Sequence, residues 1–134
     1  MTSVSREVTI TAPAEKVWDA LRDFGALHTR LVPGFVVMTT LSDDGRERVV
    51  TFFNGAVARE VLVGIDEDAM RVAYSVVESP MGATHHNASA QVFAVDGGAS
   101  RFAWTTDVLP DALGEPTAML MERGIAVIKA TLGA

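Results

Sequence analysis

The sequence predicts an α+β fold: a seven-stranded curved antiparallel sheet wrapped around a long C-terminal helix, with two short helices after the first strand. Three observations predict it. One β pattern and one helical pattern open the chain, six β-rich runs separated by turn residues fill the middle, and one long amphipathic pattern ends it. Connections this short require antiparallel neighbours, because a parallel crossover needs about a dozen residues. The last helix must then cover one face of the sheet.

The first elements follow from hydrophobic periodicity. Alternation of apolar and polar residues from Val4 to Thr11 predicts the first strand, and Pro13 suits the first turn of a helix. Apolar residues at helical spacing predict that this helix covers about 14–22. A weaker helical turn is expected at about 27–31, before a Pro-Gly turn.

The middle of the chain is divided by turn residues such as Asn54-Gly55. The six strands between these turns are predicted at about 35–41, 46–53, 57–65, 70–77, 85–95 and 99–108. From Asp111 the hydrophobic period returns to that of a helix, which is the longest in the chain. We expect this helix to lie across the sheet, with a hollow between the two layers.

The composition argues against several classes of function. The chain has 134 residues, no cysteine and a formal charge of −6. An acidic protein is not expected to bind nucleic acid or an anionic membrane surface. Without cysteine it forms neither disulfides nor thiolate metal sites. The sequence shows no secretion signal and no apolar run of about 20 residues, which predicts a cytoplasmic protein with no membrane span.

The chain is rather apolar for its size. Hydrophobic residues make up 49% of it, and the mean hydropathy is +0.24. An internal apolar cavity would explain this excess, and a homodimer interface would explain it equally well.

Three stretches carry a resemblance to a known superfamily. They are APAEKVWDALRDFG at 12–25, RVAYSVVESP at 71–80 and GGASRFAW at 97–104. With the length and the order of elements, they resemble the START-like (SRPBCC) helix-grip superfamily, and within it the polyketide cyclase/dehydrase and lipid-transport group. One departure is visible at 28–32, where members often carry an aromatic residue near the Pro-Gly turn. The resemblance implies that residues 1–134 form a single START-like ligand-binding domain.

Three functions follow from this resemblance and from the expected cavity. The first is binding or transport of a small hydrophobic ligand, such as a lipid, a sterol or a polyketide-like molecule, between the sheet and the C-terminal helix. The second is a polyketide cyclase, aromatase or dehydrase acting in the same cavity. The third is an interaction domain resembling the activator of the Hsp90 ATPase. The superfamily includes all three, so the resemblance does not decide whether the chain is an enzyme.

The expected ligand-binding residues come from two strands and the last helix. A buried tyrosine hydroxyl needs a partner, Trp104 shares the more apolar face of its strand with Thr106, and methionine adapts to ligands of several shapes. A glycine on the helix stripe removes bulk where a filled core would favour a larger residue. The residues predicted to contact the ligand are Tyr74, Trp104, Thr106, Leu120, Met121, Gly124 and Ile128.

Residues able to catalyse a reaction are few. His28 lies beside the expected mouth of the cavity, and histidine titrates near neutral pH. His85 and His86 are neighbours on a strand and point to opposite faces, so they cannot ligate one metal together, and we expect no metal site and no cofactor. Arg59 and Glu60 also point to opposite faces, so at most one enters the cavity. No convergent acid and base pair emerges from these candidates.

Overall fold

The computed structural model describes residues 2–133. The strands are β1 (Thr2–Ile10), β2 (Val36–Leu41), β3 (Glu47–Phe52), β4 (Val57–Asp66), β5 (Arg71–Glu78), β6 (His85–Ala94) and β7 (Ser100–Leu109). The helices are α1 (Ala14–Leu21), a π-helical turn (Leu27–Leu31) and α2 (Gly114–Leu132). The seven strands form one sheet in the order β1-β7-β6-β5-β4-β3-β2, and neighbouring strands are antiparallel. The predicted fold class is confirmed.

Predicted and observed elements agree closely. β1 begins at Thr2, two residues before the predicted start, and the helical turn expected at 27–31 is a π-helical turn. A short 3₁₀ turn over Asp111–Leu113 precedes the last helix, which begins at Gly114. Within residues 2–133, no helix combines the length and the apolar character that crossing a bilayer requires.

Irregular pairing accounts for the curvature of the sheet. One register shift occurs where β2 pairs with β3. Two more occur where β4 pairs with β5, between Arg59 and Glu60 and between Leu62 and Gly64. Such bulges bend the strand and increase its twist. The central strands therefore form the floor of a concave surface.

Helix α2 runs alongside the edge strand β1 and in the same direction. Its first residue, Gly114, lies against Thr2, and Gly133, just beyond its end, lies against Ile10. An ion pair between Arg6 on β1 and Glu122 on α2, 3.0 Å long, joins the two elements. The helix covers the sheet as expected, and within the sheet it packs mainly against β1. The inner faces of β4 and β5 are left free to line a cavity.

The opposite side of the sheet reaches the same helix at Gly124. A Cβ atom at this position would lie 3.0 Å from Cζ3 of Trp104 on β7 and 3.3 Å from Cε2 of Phe35, which precedes β2. Both distances are shorter than ordinary carbon contacts of about 3.5–4.0 Å. The missing side chain therefore lets two rings from distant parts of the sheet close on one turn of α2.

Replacing Gly124 by a larger residue is expected to weaken this closure. Gly124→Val should lower the free energy of unfolding by about 1–3 kcal/mol, because the added atoms overlap the rings of Trp104 and Phe35. Ala130→Val, on the exposed side of the same helix, is the control for helix propensity. Urea unfolding followed by circular dichroism measures both. Equal effects of the two substitutions would contradict the close contact at Gly124.

Candidate functional site

A cavity of about 350 Å³ lies between the concave face of the sheet and the helices. This volume falls in the range of about 300–1,000 Å³ found for small-molecule sites. Its walls are mainly apolar, and they come from the inner faces of β3 to β7, from α1, from the π-helical turn and from α2. Representative apolar wall residues are Leu21, Leu31, Val72, Ala90, Phe102 and Met121.

The structure places most of the expected ligand contacts in this wall. Six of the seven residues line the cavity: Tyr74, Trp104, Thr106, Leu120, Met121 and Ile128. Their strand faces agree with the alternation expected from the sequence, since Val72 and Val76 line the cavity beside Tyr74, and Phe102 lines it beside Trp104. Contact of these residues with a ligand stays a prediction.

Gly124 is the exception among these seven residues. It is buried on the inner stripe of α2, but it is not part of the cavity wall. The space that its missing side chain leaves is occupied by the rings of Trp104 and Phe35. The glycine thus serves the closure of the fold and does not enlarge the cavity.

The structure separates the four side chains considered for catalysis. Arg59 forms ion pairs with Glu47 at 3.1 Å and with Glu78 at 2.8 Å, and it does not line the cavity. His28 and His85 also lie outside the wall, whereas His86 is part of it. The alternation of β6 explains why only one of the two neighbouring histidines faces inward.

A buried ion pair in the cavity wall was not predicted from the sequence. Nε of Arg48 on β3 lies 2.8 Å from Oε1 of Glu60 on β4, and the two residues are directly opposite in the sheet. Each has 6% of its surface exposed. Two charges this deeply buried are compatible with folding only when they are paired and hydrogen-bonded.

The Arg48 guanidinium also contacts Phe24 and Tyr74. It donates from Nη1 to the backbone oxygen of Phe24 at 3.2 Å. Its central carbon lies 3.9 Å from the centre of the Phe24 ring and 5.1 Å from the centre of the Tyr74 ring. Cation–π contacts of this kind become stronger when water is excluded. The loop that follows α1 therefore seals the ion pair from solvent.

The sequence pattern of β3 explains why Arg48 was missed. The strand carries apolar residues on both faces, with Val49 on one and Val50 and Phe52 on the other. Alternation alone could not show which face is inner. The signal that could have revealed the ion pair is the presence of one residue of each charge on neighbouring strands. Arg48 and Glu60 pair only in the register that places them opposite each other on the inner face. Glu60 is the member of the Arg59-Glu60 pair that enters the cavity wall.

A second polar contact joins β5 and β7 inside the cavity. The indole N–H of Trp104 donates to the hydroxyl oxygen of Tyr74 at 3.1 Å. Burial raises the pKa of the Tyr74 phenol far above its usual value, and the nearby Glu60 carboxylate raises it further. Arg48 and the Trp104 hydrogen bond act in the opposite direction but are weaker. Tyr74 thus keeps its proton at neutral pH and remains a hydrogen-bond donor.

His86 is the other ionisable group in the wall. Burial lowers its pKa, and the neighbouring His85 lowers it further, while Glu60 acts in the opposite direction. The imidazole is therefore uncharged at neutral pH, with one nitrogen able to donate and one able to accept a hydrogen bond.

Comparison with known proteins now places the chain in a family. The family model described as polyketide cyclase/dehydrase and lipid transport matches residues 1–133. The chain belongs to this family. No sequence among the curated proteins matches it. The description of the polyketide cyclase/dehydrase and lipid transport family agrees with the resemblance carried by the three sequence stretches.

Solved structures share the fold of this family member. A protein from Thermobifida fusca is 28% identical, with a TM-score of 0.81, covering 99% of this chain and 91% of that one. A START superfamily protein from Mycobacterium smegmatis is 13% identical, with a TM-score of 0.72, covering 98% and 94%. The di-domain ARO/CYC BexL from the BE-7585A biosynthetic pathway is 12% identical, with a TM-score of 0.83, covering 98% and 46%. The two more distant likenesses show the fold alone.

Breaking the buried ion pair is expected to destabilise the protein strongly. Arg48→Met or Glu60→Leu alone should lower the free energy of unfolding by about 3–5 kcal/mol, because each leaves a buried charge without its partner. The double variant should recover most of this loss. Arg59→Met removes exposed ion pairs and should cost less than about 1 kcal/mol. Chemical unfolding of the four variants measures these free energies. Losses in Arg48→Met and Glu60→Leu no larger than the loss in Arg59→Met would contradict a buried ion pair.

The Tyr74 phenol is expected to resist ionisation in the folded protein. It is the only tyrosine of the chain, so the tyrosinate absorbance in the near ultraviolet reports on it alone. Between about pH 10 and 11 the absorbance should rise in urea but stay flat without urea. The unfolded state releases this proton at a lower pH than the folded state does. The contribution of the Tyr74 phenol to the free energy of unfolding is therefore complete below about pH 10 and falls as the pH rises further. An ordinary titration curve in the native protein would contradict the raised pKa.

Proposed function

We propose that the chain binds a small hydrophobic ligand in the cavity, with residues 1–134 acting as one START-like ligand-binding domain. The observation that carries the proposal is the cavity of about 350 Å³ with mainly apolar walls. Protein interiors rarely leave voids larger than a water molecule, and an empty apolar cavity lowers stability in proportion to its volume. A space of this size is therefore best explained by an occupant.

The Tyr74 hydroxyl can orient that ligand by donating a hydrogen bond to it. Its oxygen accepts from Trp104, which leaves its own hydrogen to be donated. No group in the described part of the chain accepts that hydrogen. A carbonyl or hydroxyl oxygen of a ligand is the natural acceptor, because a buried donor without a partner is unfavourable.

The charges in the wall favour an uncharged ligand. Arg48 and Glu60 neutralise each other at 2.8 Å, and Tyr74 and His86 are uncharged at neutral pH for the reasons given above. A carboxylate or an ammonium entering this cavity would find no free counter-ion among the wall residues. Neutral lipids, sterols and neutral polyketide-like molecules fit this environment better than free fatty acids.

A second candidate is a cyclase or dehydrase acting on a polyketide-like substrate. It is supported by the family description and by two proton acceptors in the wall, the Glu60 carboxylate and the neutral His86 imidazole. Tyr74 would polarise a carbonyl while one of them accepts a proton. A filled core together with an exposed apolar patch would favour the interaction-domain alternative. Apolar side chains such as Val37, Met38 and Val63 are exposed, but the open cavity does not meet the first condition.

Filling the cavity is expected to prevent binding. Nile red is uncharged and apolar, so it should bind in the cavity of the wild-type protein. Its fluorescence in apolar surroundings reports the binding. Leu120→Trp, in the wall of the cavity, should weaken binding by about tenfold or more, a loss of about 1.4 kcal/mol. Met119→Trp, at a neighbouring position that is 69% exposed, is the control and should bind normally.

A thermal-shift panel of neutral lipids, sterols and aromatic polyketides completes the experiment. A ligand that binds only the folded state raises the melting temperature. No dye binding and no shift in the wild type would overturn the proposal. Liquid chromatography coupled to mass spectrometry of the panel compounds after incubation separates the two candidates. A carrier returns each compound unchanged, a cyclase changes its retention time, and a dehydrase lowers its mass by one water.

A further inference from the structure

The side chain of Trp104 bridges the sheet and helix α2. Trp104 lies on β7, opposite Arg6 on β1. At the far edge of its ring, a Cβ atom on Gly124 of α2 would lie 3.0 Å from Cζ3 and 3.5 Å from Cη2. Gly124 is on the buried face of the helix. The indole ring therefore reaches from the concave face of the sheet to α2.

The same indole is joined to Tyr74 above an intervening strand. Nε1 of Trp104 on β7 donates to the Tyr74 hydroxyl on β5 at 3.1 Å, and β6 lies between these two strands. The β6 residues opposite Tyr74 and Trp104 are Ala88 and Ala90. Because both alanine side chains are small, they leave room for the two larger side chains to meet above β6.

Arg48 continues this row of side chains towards β3. Its guanidinium carbon lies 5.1 Å from the centre of the Tyr74 ring, and Glu60 fixes the guanidinium at 2.8 Å. Arg48, Tyr74 and Trp104 thus form a continuous row of contacts that crosses the concave face from β3 to β7 and ends against α2. We call this row of three side chains the belt.

Wall residues of the cavity lie on both sides of the belt. On one side they include Val76 of β5, Thr106 of β7 and Met121 of α2, and on the other side they include Val72, Phe102 and Ile128 of the same three elements. The cavity therefore extends past the belt in both directions. We call the part beside Thr106 the outer lobe and the part beside Phe102 the inner lobe.

The outer lobe is the one that opens to solvent. The exposed residues of the cavity wall are Asn54 and Pro80, on the connections that follow β3 and β5. β3 and β5 run in the same direction, so both connections lie at the end of the sheet towards Val76. A ligand that enters from solvent therefore reaches the outer lobe first and the belt next.

Two contacts oppose displacement of the Trp104 ring by a ligand. Rotation of the ring would break its hydrogen bond with Tyr74 and open its contact with Gly124. A buried N–H group that loses its acceptor is unfavourable, and the ring would also lose close-packed neighbours on the helix. A ligand tail in the outer lobe is therefore favoured to stop at the ring.

We infer that the belt divides the cavity and that Trp104 determines how much of a ligand is buried. The ligand enters at the exposed end, fills the outer lobe and ends against the indole ring. Trp104 is thus the residue that sets the length of ligand that the protein accepts. The inference rests on the proposed function and adds a limit on ligand length to it.

Straight-chain primary alcohols from hexanol to tetradecanol measure this length. Displacement of Nile red gives the dissociation constant of each alcohol. Each methylene group that is buried should lower the dissociation constant by about fourfold. In the wild-type protein this decrease should stop at the chain length that reaches Trp104, because further methylene groups remain in water at the exposed end of the cavity.

Replacing Trp104 is expected to move this limit. Trp104→Leu should continue the decrease to longer alcohols, because the shorter side chain opens the belt. Phe102→Leu is the matched control, since it removes a ring from the same face of β7 in the inner lobe and should leave the limit at the wild-type length. Trp104→Phe keeps a smaller ring and should extend the limit by fewer methylene groups, and it replaces Trp104→Leu if circular dichroism shows that variant to be unfolded.

Several outcomes would overturn the inference and leave the proposed function intact. One is a limit that the Trp104 variants do not move, and another is a limit that Phe102→Leu extends as far as Trp104→Leu does. A decrease that continues to tetradecanol in the wild type, or Nile red binding that no alcohol displaces, would overturn it as well. Absence of Nile red binding in the wild type would instead count against the proposed function itself.

Discussion

The fold depends on one close contact, where the absent side chain of Gly124 admits the rings of Trp104 and Phe35. Trp104 comes from β7 beside the helix, and Phe35 comes from the segment before β2 at the far edge of the sheet. A sheet that meets its helix from both sides has to curve, and the bulges where β4 pairs with β5 allow that curvature. Because the layers touch at the rim, their middle stays open. The cavity is thus a consequence of closure at the edges and not of poor packing.

The polar groups within this apolar space are arranged so that none brings a net charge. The two charged side chains of the wall, Arg48 and Glu60, are paired at 2.8 Å. Burial keeps Tyr74 protonated and His86 uncharged. In a medium of low effective dielectric, fixed neutral donors and acceptors orient a ligand strongly, while a stray charge would be excluded.

Hydrophobic periodicity predicted the order of elements, the strand bounds to within about two residues and the inner faces of β5 and β7. It succeeded there because one face of each strand is clearly more apolar. It failed to find Arg48, because β3 is apolar on both faces and the charged residue gains its partner only from the register with β4. Gly124 was predicted to contact the ligand because a glycine on the helix stripe removes bulk. The rings that take up this space include that of Phe35, which is remote in the sequence, so local periodicity could not reveal the contact.

The buried ion pair also bears on how the chain selects its native pairing. Arg48 and Glu60 are opposite each other in the β3 and β4 register. A slip of one residue between these strands turns one charge outward and leaves the other alone in an apolar interior, which is far less favourable than loss of a surface contact. Strand β3 lies next to the edge strand β2 and has apolar residues on both faces, so its hydrophobic pattern alone would tolerate such a slip. The ion pair therefore favours the native register of β3 and β4 over registers that are shifted by one residue.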